Sequence, residues 1–187
     1  DKIDCQFVGL TAGVSPNIAF LKNSGIETAR GVSVNEFLQT NHPDIYAIGD
    51  CAQLTNPPLG RRPIEAIWYV GRMMGETVAY SICKEPTKYQ PTTWFNSAKF
   101  FEIEYQVYGT VLAKAPENHQ SIYWEHPDGR KRIRVVYDSQ KGNVLGFNLM
   151  GVRYRSEVWL KWIKENTPIE KVLENLGLAN FDPEFYD

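Results

Sequence analysis

The residues with the clearest chemical character are Gly49 and Asp50, which follow the apolar run 45–48. That run predicts a short buried strand, so the glycine and the carboxylate would lie where a strand ends. A glycine there lets a polyol or a phosphate approach the backbone, and a carboxylate accepts hydrogen bonds from hydroxyl groups. Gly-Asp is also ordinary turn chemistry, so the pair alone does not distinguish a ligand site from a plain turn.

The elements that would position this pair can be predicted from the surrounding sequence. Residues 5–10 and 32–34 read as short strands, and residues 17–23 as a helix that Gly25 ends. Pro63 suits the first turn of a second helix, because the missing N–H of proline costs nothing there. Apolar residues then recur at helical spacing, which predicts a helix over 63–81 directly after the Gly-Asp pair.

Two motifs on either side of these elements resemble a known superfamily. Residues 13–17 form a Gly-x-x-Pro-Asn turn, and residues 40–50 read Thr-Asn-His-Pro-Asp-Ile-Tyr-Ala-Ile-Gly-Asp. In this order and at this distance they resemble the closing section of the FAD domain in the pyridine-nucleotide-disulfide oxidoreductases. The resemblance implies that Asp50 binds the ribityl hydroxyls of FAD and that Gly49 permits close approach. It also implies NAD(P)H as a co-substrate.

The glycine-rich dinucleotide motif of that superfamily is missing from the chain. No Gly-x-Gly-x-x-Gly occurs anywhere in the 187 residues, although the superfamily uses it to hold the FAD pyrophosphate and again to hold NAD(P)H. We therefore expect the chain to be the C-terminal portion of a longer enzyme, and the portion alone to bind FAD weakly.

The start of the helix predicted over 63–81 could also stabilise negative charge. Unsatisfied N–H groups at a helix N-terminus favour negative charge, and here they would include the amides of Ile64, Glu65 and Ala66. In the resembled superfamily this helix end points at the pyrimidine side of the isoalloxazine ring, so these amides would stabilise reduced, anionic flavin. Arg61 and Arg62, like Glu65 itself, are compatible either with a role at this turn or with a solvated surface.

The second half of the chain predicts a separate domain. Residues 84–91 carry two prolines among polar residues and indicate a linker, so we predict domains at 1–83 and 84–187. Asp128-Gly129 predicts a hairpin between strands at 121–125 and 132–137, with a third strand at 143–150. Ser156 and Thr167-Pro168 would open two terminal helices, the second ending at Gly177.

The predicted fold class is therefore α+β. A partial, Rossmann-like α/β segment of an FAD-binding domain would be followed by a smaller α+β domain with an antiparallel sheet and terminal helices. Residues 94–97, Trp-Phe-Asn-Ser, resemble the start of the C-terminal domain in the ferredoxin and rubredoxin reductase branch. That branch continues with Asp-Gln where this chain has Ala98-Lys99, so burial explains Trp94 better than a place beside the flavin.

Charge and cysteine content exclude several function classes. The chain has 20 Lys and Arg against 22 Asp and Glu, a formal charge of -2, which gives no electrostatic reason to expect nucleic acid. No apolar run is long enough to cross a bilayer. Three widely spaced cysteines predict neither a disulfide scaffold nor a Cys-x-x-Cys motif, which favours a reducing cytoplasm. The three histidines lie beside proline or asparagine and predict no metal site.

Two hypotheses of function remain open at this point. In the first, the parent enzyme passes electrons from NAD(P)H through FAD to a second acceptor, and no residue present can be assigned as catalytic. In the second, residues 84–187 form a non-catalytic module for dimerisation or partner docking. Flavin and nicotinamide nucleotides, a protein electron carrier and a second copy of the chain are the partners that the resemblance implies.

Overall fold

In the computed structural model the chain divides into two compact units, Asp1–Gln90 and Pro91–Asp187, of which residues 2–58 and 60–181 are described. The fold is mixed α+β, as predicted. Tyr89, in the segment that the sequence assigns to the second domain, belongs to the core of the first unit and is 6% exposed. Its N–H donates to the carbonyl of Glu36 at 2.7 Å, which ties this end of unit 1 to the loop after the first strand.

Unit 1 is built on two parallel strands and one long helix. Strand β1 (Val32–Val34) pairs with β2 (Ala52–Leu54), and helix α1 (Trp68–Ile82) covers them. One side chain from every helical turn reaches the core because α1 repeats every 3.6 residues. The buried residues of this unit are Val34, Leu38, Ala52, Leu54, Val70, Met74, Val78 and Tyr89.

Three predictions for the first half of unit 1 are wrong in detail. Residues 5–10 form no strand, and Phe7 and Leu10 are 85% and 91% exposed, because no strand in the described ranges pairs with them. The helix predicted over 17–23 is a single 3-10 turn, Ala19–Leu21. Residues 45–48 make only an isolated bridge, Gln39 to Tyr46, and the strand of this region is β2, after Asp50 instead of before it.

Helix α1 also begins later than predicted. Pro63 does not open it, because the Pro63 carbonyl accepts the N–H of Leu54 at 2.9 Å and so runs alongside β2. Ile67, in an extended conformation, is the N-cap residue, and the first helical residue is Trp68. Ile64, Glu65 and Ala66 therefore precede the helix.

Unit 2 is a five-stranded antiparallel sheet in the order β3-β4-β7-β6-β5. The strands are β3 (Phe95–Phe100), β4 (Ile103–Gly109), β5 (His119–Glu125), β6 (Arg132–Asp138) and β7 (Val144–Met150). The β5–β6 hairpin and the third strand β7 confirm the prediction from the Asp-Gly turn. Residues 95–97, which follow Trp94, are part of β3, because each pairs with a residue of β4.

Two helices cover one face of this sheet. They are α2 (Ser156–Lys164) and α3 (Ile169–Glu174), followed by a 3-10 turn at Leu176–Ala179. Phe147 and Trp159 pack at the centre with ring centroids 4.2 Å apart and ring planes tilted by 43°, and the Trp162 ring lies 6.2 Å from the same phenyl ring. On β6, Ile133 and Val135 face this core while Arg132 and Arg134 lie on the opposite face, as the alternation of a half-exposed strand predicts.

No helix within residues 2–58 and 60–181 is long and apolar enough to cross a membrane. The same ranges contain no group of three His, Cys, Asp or Glu side chains that could hold a metal ion.

Candidate functional site

The Gly49-Asp50 pair lies in a 3-10 turn, Gly49–Cys51, that leads directly into β2. Gly49 has φ +72°, a conformation that favours glycine, and a Cβ added there would meet nothing within 4 Å. The Asp50 side chain is exposed, and no partner within the described residues hydrogen-bonds its carboxylate. The turn therefore offers an open backbone surface beside an unused acceptor.

Thr40 organises the loop that delivers the chain to this turn. Its hydroxyl oxygen accepts the N–H of His42 at 3.1 Å, and its own N–H donates to the Ile45 carbonyl at 2.9 Å. Two residues later the N–H of Ala47 donates to the Leu38 carbonyl at 3.1 Å. Thr40 is 7% exposed, so these bonds are shielded from water and define the path from 40 to 47.

Side-chain amides fasten the other loops around the turn. Asn41 accepts the N–H of Glu27 at 2.9 Å and donates to the Gly25 carbonyl at 2.8 Å. Gln53 Oε1 accepts the N–H groups of Arg30 and Gly31, both at 3.0 Å. These bonds hold the chain just before β1 to Asn41 and Gln53, which lie on either side of Asp50 in the sequence.

Helix α1 packs its glycines against the Gly49 turn. A Cβ at Gly71 would lie 3.3 Å from the Gly49 Cα, and one at Gly75 would lie 3.6 Å from Ile48 Cδ1. The first turns of α1 therefore approach the Gly49 backbone closely. The N-cap residue Ile67 makes no side-chain hydrogen bond that would cap the first turn of the helix.

We expect Gly71→Ala and Gly75→Ala to have opposite effects on stability. Alanine gains about 0.5–1 kcal/mol over glycine inside a helix, and at position 75 the added methyl makes ordinary contact with a flexible side chain. At position 71 the methyl presses on backbone, so the Gly49 turn must shift and the gain is lost. Urea unfolding of the two variants measures the difference. Equal stabilisation of both would contradict the close approach at Gly71.

A mostly buried ion pair fixes the segment just before α1. Arg61 Nε donates to Glu65 Oε1 at 2.9 Å, and the two side chains are 10% and 9% exposed. Burial lowers the pKa of Arg61, but the hydrogen bonds and the negative charge of Glu65 outweigh it, so that pKa is raised. Tyr89 lies beside the pair, and burial raises the pKa of its hydroxyl although the positive charge of Arg61 opposes this. The sequence left open whether Arg61, Arg62 and Glu65 lie on a solvated surface. Arg62 is exposed, whereas Arg61 and Glu65 are not.

The structure brings together only part of the predicted site. Gly49, Asp50 and the N-terminal end of α1 are adjacent, whereas Ile64, Glu65 and Ala66 lie in the extended segment before the helix. Sequence reasoning missed Gln53 and Tyr89. The Arg61–Glu65 spacing of four was a visible signal for a pair, but nothing local indicated that the pair would be buried.

A separate open groove of about 580 Å³ lies in unit 2 between α2 and α3. Its lining mixes charges of both signs, including Arg155, Glu157, Lys161 and Lys171. None of the predicted site residues lines this groove, so the groove is distinct from the predicted site.

The parallel strands, the glycine turn and the following helix form the α/β segment of unit 1. Residues 1–77 match the family model described as pyridine nucleotide-disulphide oxidoreductase. This match covers 77 of the 187 residues and confirms the resemblance predicted from residues 13–17 and 40–50.

Two relatives illustrate the similarity. The assimilatory nitrate reductase electron transfer subunit of Bacillus subtilis (strain 168) is 27% identical over 143 residues, which is 76% of this chain and 18% of the relative. The nitric oxide reductase FlRd-NAD(+) reductase of Salmonella paratyphi B is 44% identical over 57 residues, 30% of this chain and 15% of the relative. The chain therefore spans less than a fifth of the length of these relatives.

A solved structure shows the same fold over both units. The NAD-dependent persulfide reductase from A. fulgidus superposes with a TM-score of 0.67 at 19% identity, covering 87% of this chain and 33% of that one.

Proposed function

We propose that this chain forms part of the flavin site of an NAD(P)H-dependent flavoprotein oxidoreductase. The observation that carries the proposal is the exposed carboxylate of Asp50, which no residue in 2–58 or 60–181 hydrogen-bonds, beside a glycine whose Cβ position is empty. A carboxylate can accept two or more hydrogen bonds from the adjacent hydroxyls of a sugar alcohol. Asp50 would bind the ribityl hydroxyls of FAD, and Gly49 would let the flavin chain approach the backbone.

The amino end of α1 supplies the second part of the proposed site. Its first-turn N–H groups, starting at Trp68, would place a partial positive charge toward the pyrimidine side of the flavin, worth about 0.3–1 kcal/mol. Ile64, Glu65 and Ala66 would line the approach to this end. The Arg61–Glu65 pair holds this extended segment in place. The pair would therefore position these residues without contacting the cofactor itself.

The bound flavin would supply the hydride chemistry, and the residues described here would hold and orient it. The names of the relatives support NAD(P)H as the electron donor and a protein electron carrier as an acceptor, since one is an electron transfer subunit and the other an FlRd-NAD(+) reductase. A cytoplasmic location is part of the same proposal and rests on the three widely spaced cysteines.

Replacing Asp50 tests this function on the protein encoded by the complete reading frame. Loss of hydrogen bonds to a charged acceptor costs about 1.5–3 kcal/mol, so Asp50→Ala should weaken FAD binding roughly 10- to 150-fold. Equilibrium titration of FAD into apoprotein, followed by flavin fluorescence, measures the change. Asp44→Ala is the matched control, because Asp44 is also exposed and lies in the same motif.

Unchanged FAD affinity in Asp50→Ala, or an equal loss in Asp44→Ala, would contradict the assignment. Protein from the complete reading frame that takes up no flavin at all would overturn the proposed function itself.

A second function is supported by the exposed edge of the unit 2 sheet. Residues 120–125 of β5 are exposed although they include large apolar side chains, which suits a surface for docking or dimerisation. This function is compatible with the first, since it uses different residues.

A further inference from the structure

Gln53 is the middle residue of strand β2, and its side chain points away from the core. Its neighbours Ala52 and Leu54 are 1% and 7% exposed and belong to the core of unit 1. Side chains alternate along a strand, so the amide of Gln53 lies on the opposite face. Because both neighbours are buried, the backbone that carries this amide is held firmly.

The Gln53 amide takes the place of a backbone acceptor for the loop before β1. Its Oε1 accepts the N–H groups of Arg30 and Gly31, both at 3.0 Å. Within the part of the chain that the structure describes, no backbone carbonyl accepts either of these N–H groups. Gly31 is buried, and a buried N–H group that loses its acceptor is costly because water cannot replace it. The loop at 30–31 therefore depends on Gln53 for its position.

Gly31 in turn lies directly against the residue that follows Asp50. A Cβ added to Gly31 would lie 2.6 Å from the Cys51 carbonyl oxygen, closer than such atoms approach each other, and 3.3 Å from Ile64 Cδ1. The backbone of Gly31 thus fills the space beside the Cys51 carbonyl. It also lies beside Ile64, in the segment that would line the approach to the flavin.

The Asp50 turn is consequently held between two close backbone approaches. Gly31 lies against its Cys51 end, and a Cβ at Gly71 would lie 3.3 Å from the Gly49 Cα at its other end. No residue in 2–58 or 60–181 hydrogen-bonds the Asp50 carboxylate, so the backbone of this turn decides where the carboxylate lies.

We propose that Gln53 is a positioning residue of the flavin site. By holding Arg30 and Gly31, its amide keeps the Gly31 backbone against the Cys51 carbonyl, and this contact fixes the turn from which Asp50 binds the ribityl hydroxyls of FAD. The role rests on the proposed function, because Gln53 acts through Asp50 and does not contact the cofactor. An acceptor that is already in place binds more tightly than one that must be ordered during binding.

Replacing Gln53 in the protein from the complete reading frame tests this role. Methionine has a similar length and no acceptor oxygen, so Gln53→Met should raise the dissociation constant of FAD roughly tenfold. Titration of FAD into apoprotein, followed by flavin fluorescence, measures the change. Thr55→Val is the matched control, because it removes a side-chain hydrogen bond of 3.1 Å to the Val34 carbonyl in the same pair of strands. It should leave the FAD affinity unchanged, and urea unfolding of both variants separates loss of stability from loss of affinity.

Two further variants distinguish positioning from a general loss of structure. Gln53→Glu keeps an acceptor oxygen at the same reach and should recover most of the FAD affinity that Gln53→Met loses. The double variant Asp50→Ala/Gln53→Met should bind FAD no more weakly than Asp50→Ala alone, since a residue that acts through Asp50 has no effect once Asp50 is gone.

Unchanged FAD affinity in Gln53→Met, an equal loss in Thr55→Val, no recovery in Gln53→Glu, or additive losses in the double variant would overturn the positioning role. The proposed function fails separately. If Asp50→Ala binds FAD normally, the flavin site itself is wrongly placed, whereas a loss in Asp50→Ala without a loss in Gln53→Met overturns the role of Gln53 alone.

Discussion

We expect Trp159→Ala to lower the free energy of unfolding of unit 2 by about 3–5 kcal/mol. Trp159 is fully buried, with its ring 4.2 Å from Phe147, 5.1 Å from Trp162 and 5.4 Å from Tyr154 between centroids. Its Nε1 finds no hydrogen-bond partner within the described residues, so packing accounts for the loss. Domains are stable by only about 5–15 kcal/mol, and the variant should therefore unfold at much lower denaturant concentration.

Guanidinium unfolding of the 187-residue chain, followed by far-UV circular dichroism, measures this effect. Trp124→Ala is the matched control, because the same change of residue type is made at a side chain that is 47% exposed. Its cost should stay within about 0.5 kcal/mol. Equal losses in the two variants would show that the ring of Trp159 does not fill the core of unit 2.

Glu65→Ala should destabilise unit 1 by about 3 kcal/mol, the lower end of the range for breaking a buried ion pair. The substitution leaves the Arg61 guanidinium in a site where the side chain is only 10% exposed, next to the buried hydroxyl of Tyr89. Uncompensated charge in such a place is costly because water cannot solvate it. The segment between Pro63 and α1 would loosen as a result.

The chain contains its own control for this prediction. Arg72 and Glu76 form an ion pair at the same spacing of four, but their side chains are 63% and 61% exposed. Glu76→Ala should cost about 0.3–0.5 kcal/mol. The double variant Arg61→Met/Glu65→Leu should recover most of the loss, since replacing both partners by apolar groups leaves no buried charge. Similar losses at Glu65 and Glu76 would contradict burial of the first pair.

Features with strong local signals could be predicted from the sequence. The Asp128-Gly129 turn, with alternating residues on each side, gave the β5–β6 hairpin, and the alternation of β6 gave its buried face. The residue types of Gly49 and Asp50 suggested a ligand site by themselves, and that assignment stays a prediction. Local chemistry decides such features, and tertiary contacts only confirm them.

The boundaries that failed depend on contacts distant in sequence. Pro63 carries a correct signal for a helix start, but its carbonyl is taken by the Leu54 N–H, so the helix is delayed to Trp68. Tyr89, which lies beside the buried Arg61, comes from beyond the helix in the sequence. The assignment of Ile64, Glu65 and Ala66 to a helical turn could not anticipate either contact.

The order of strands in unit 2 has a consequence for how this part of the chain acquires its structure. Of the five strands of this sheet, β7 is synthesised last, yet it lies in the middle, between β4 and β6. A nascent chain that ends before Val144 contains two separate hairpins, β3–β4 and β5–β6. It still lacks Phe147 and α2, which would join them into one core. Cooperative folding on the ribosome should therefore begin only after β7 and α2 have emerged, and earlier arrest should leave both hairpins open to protease.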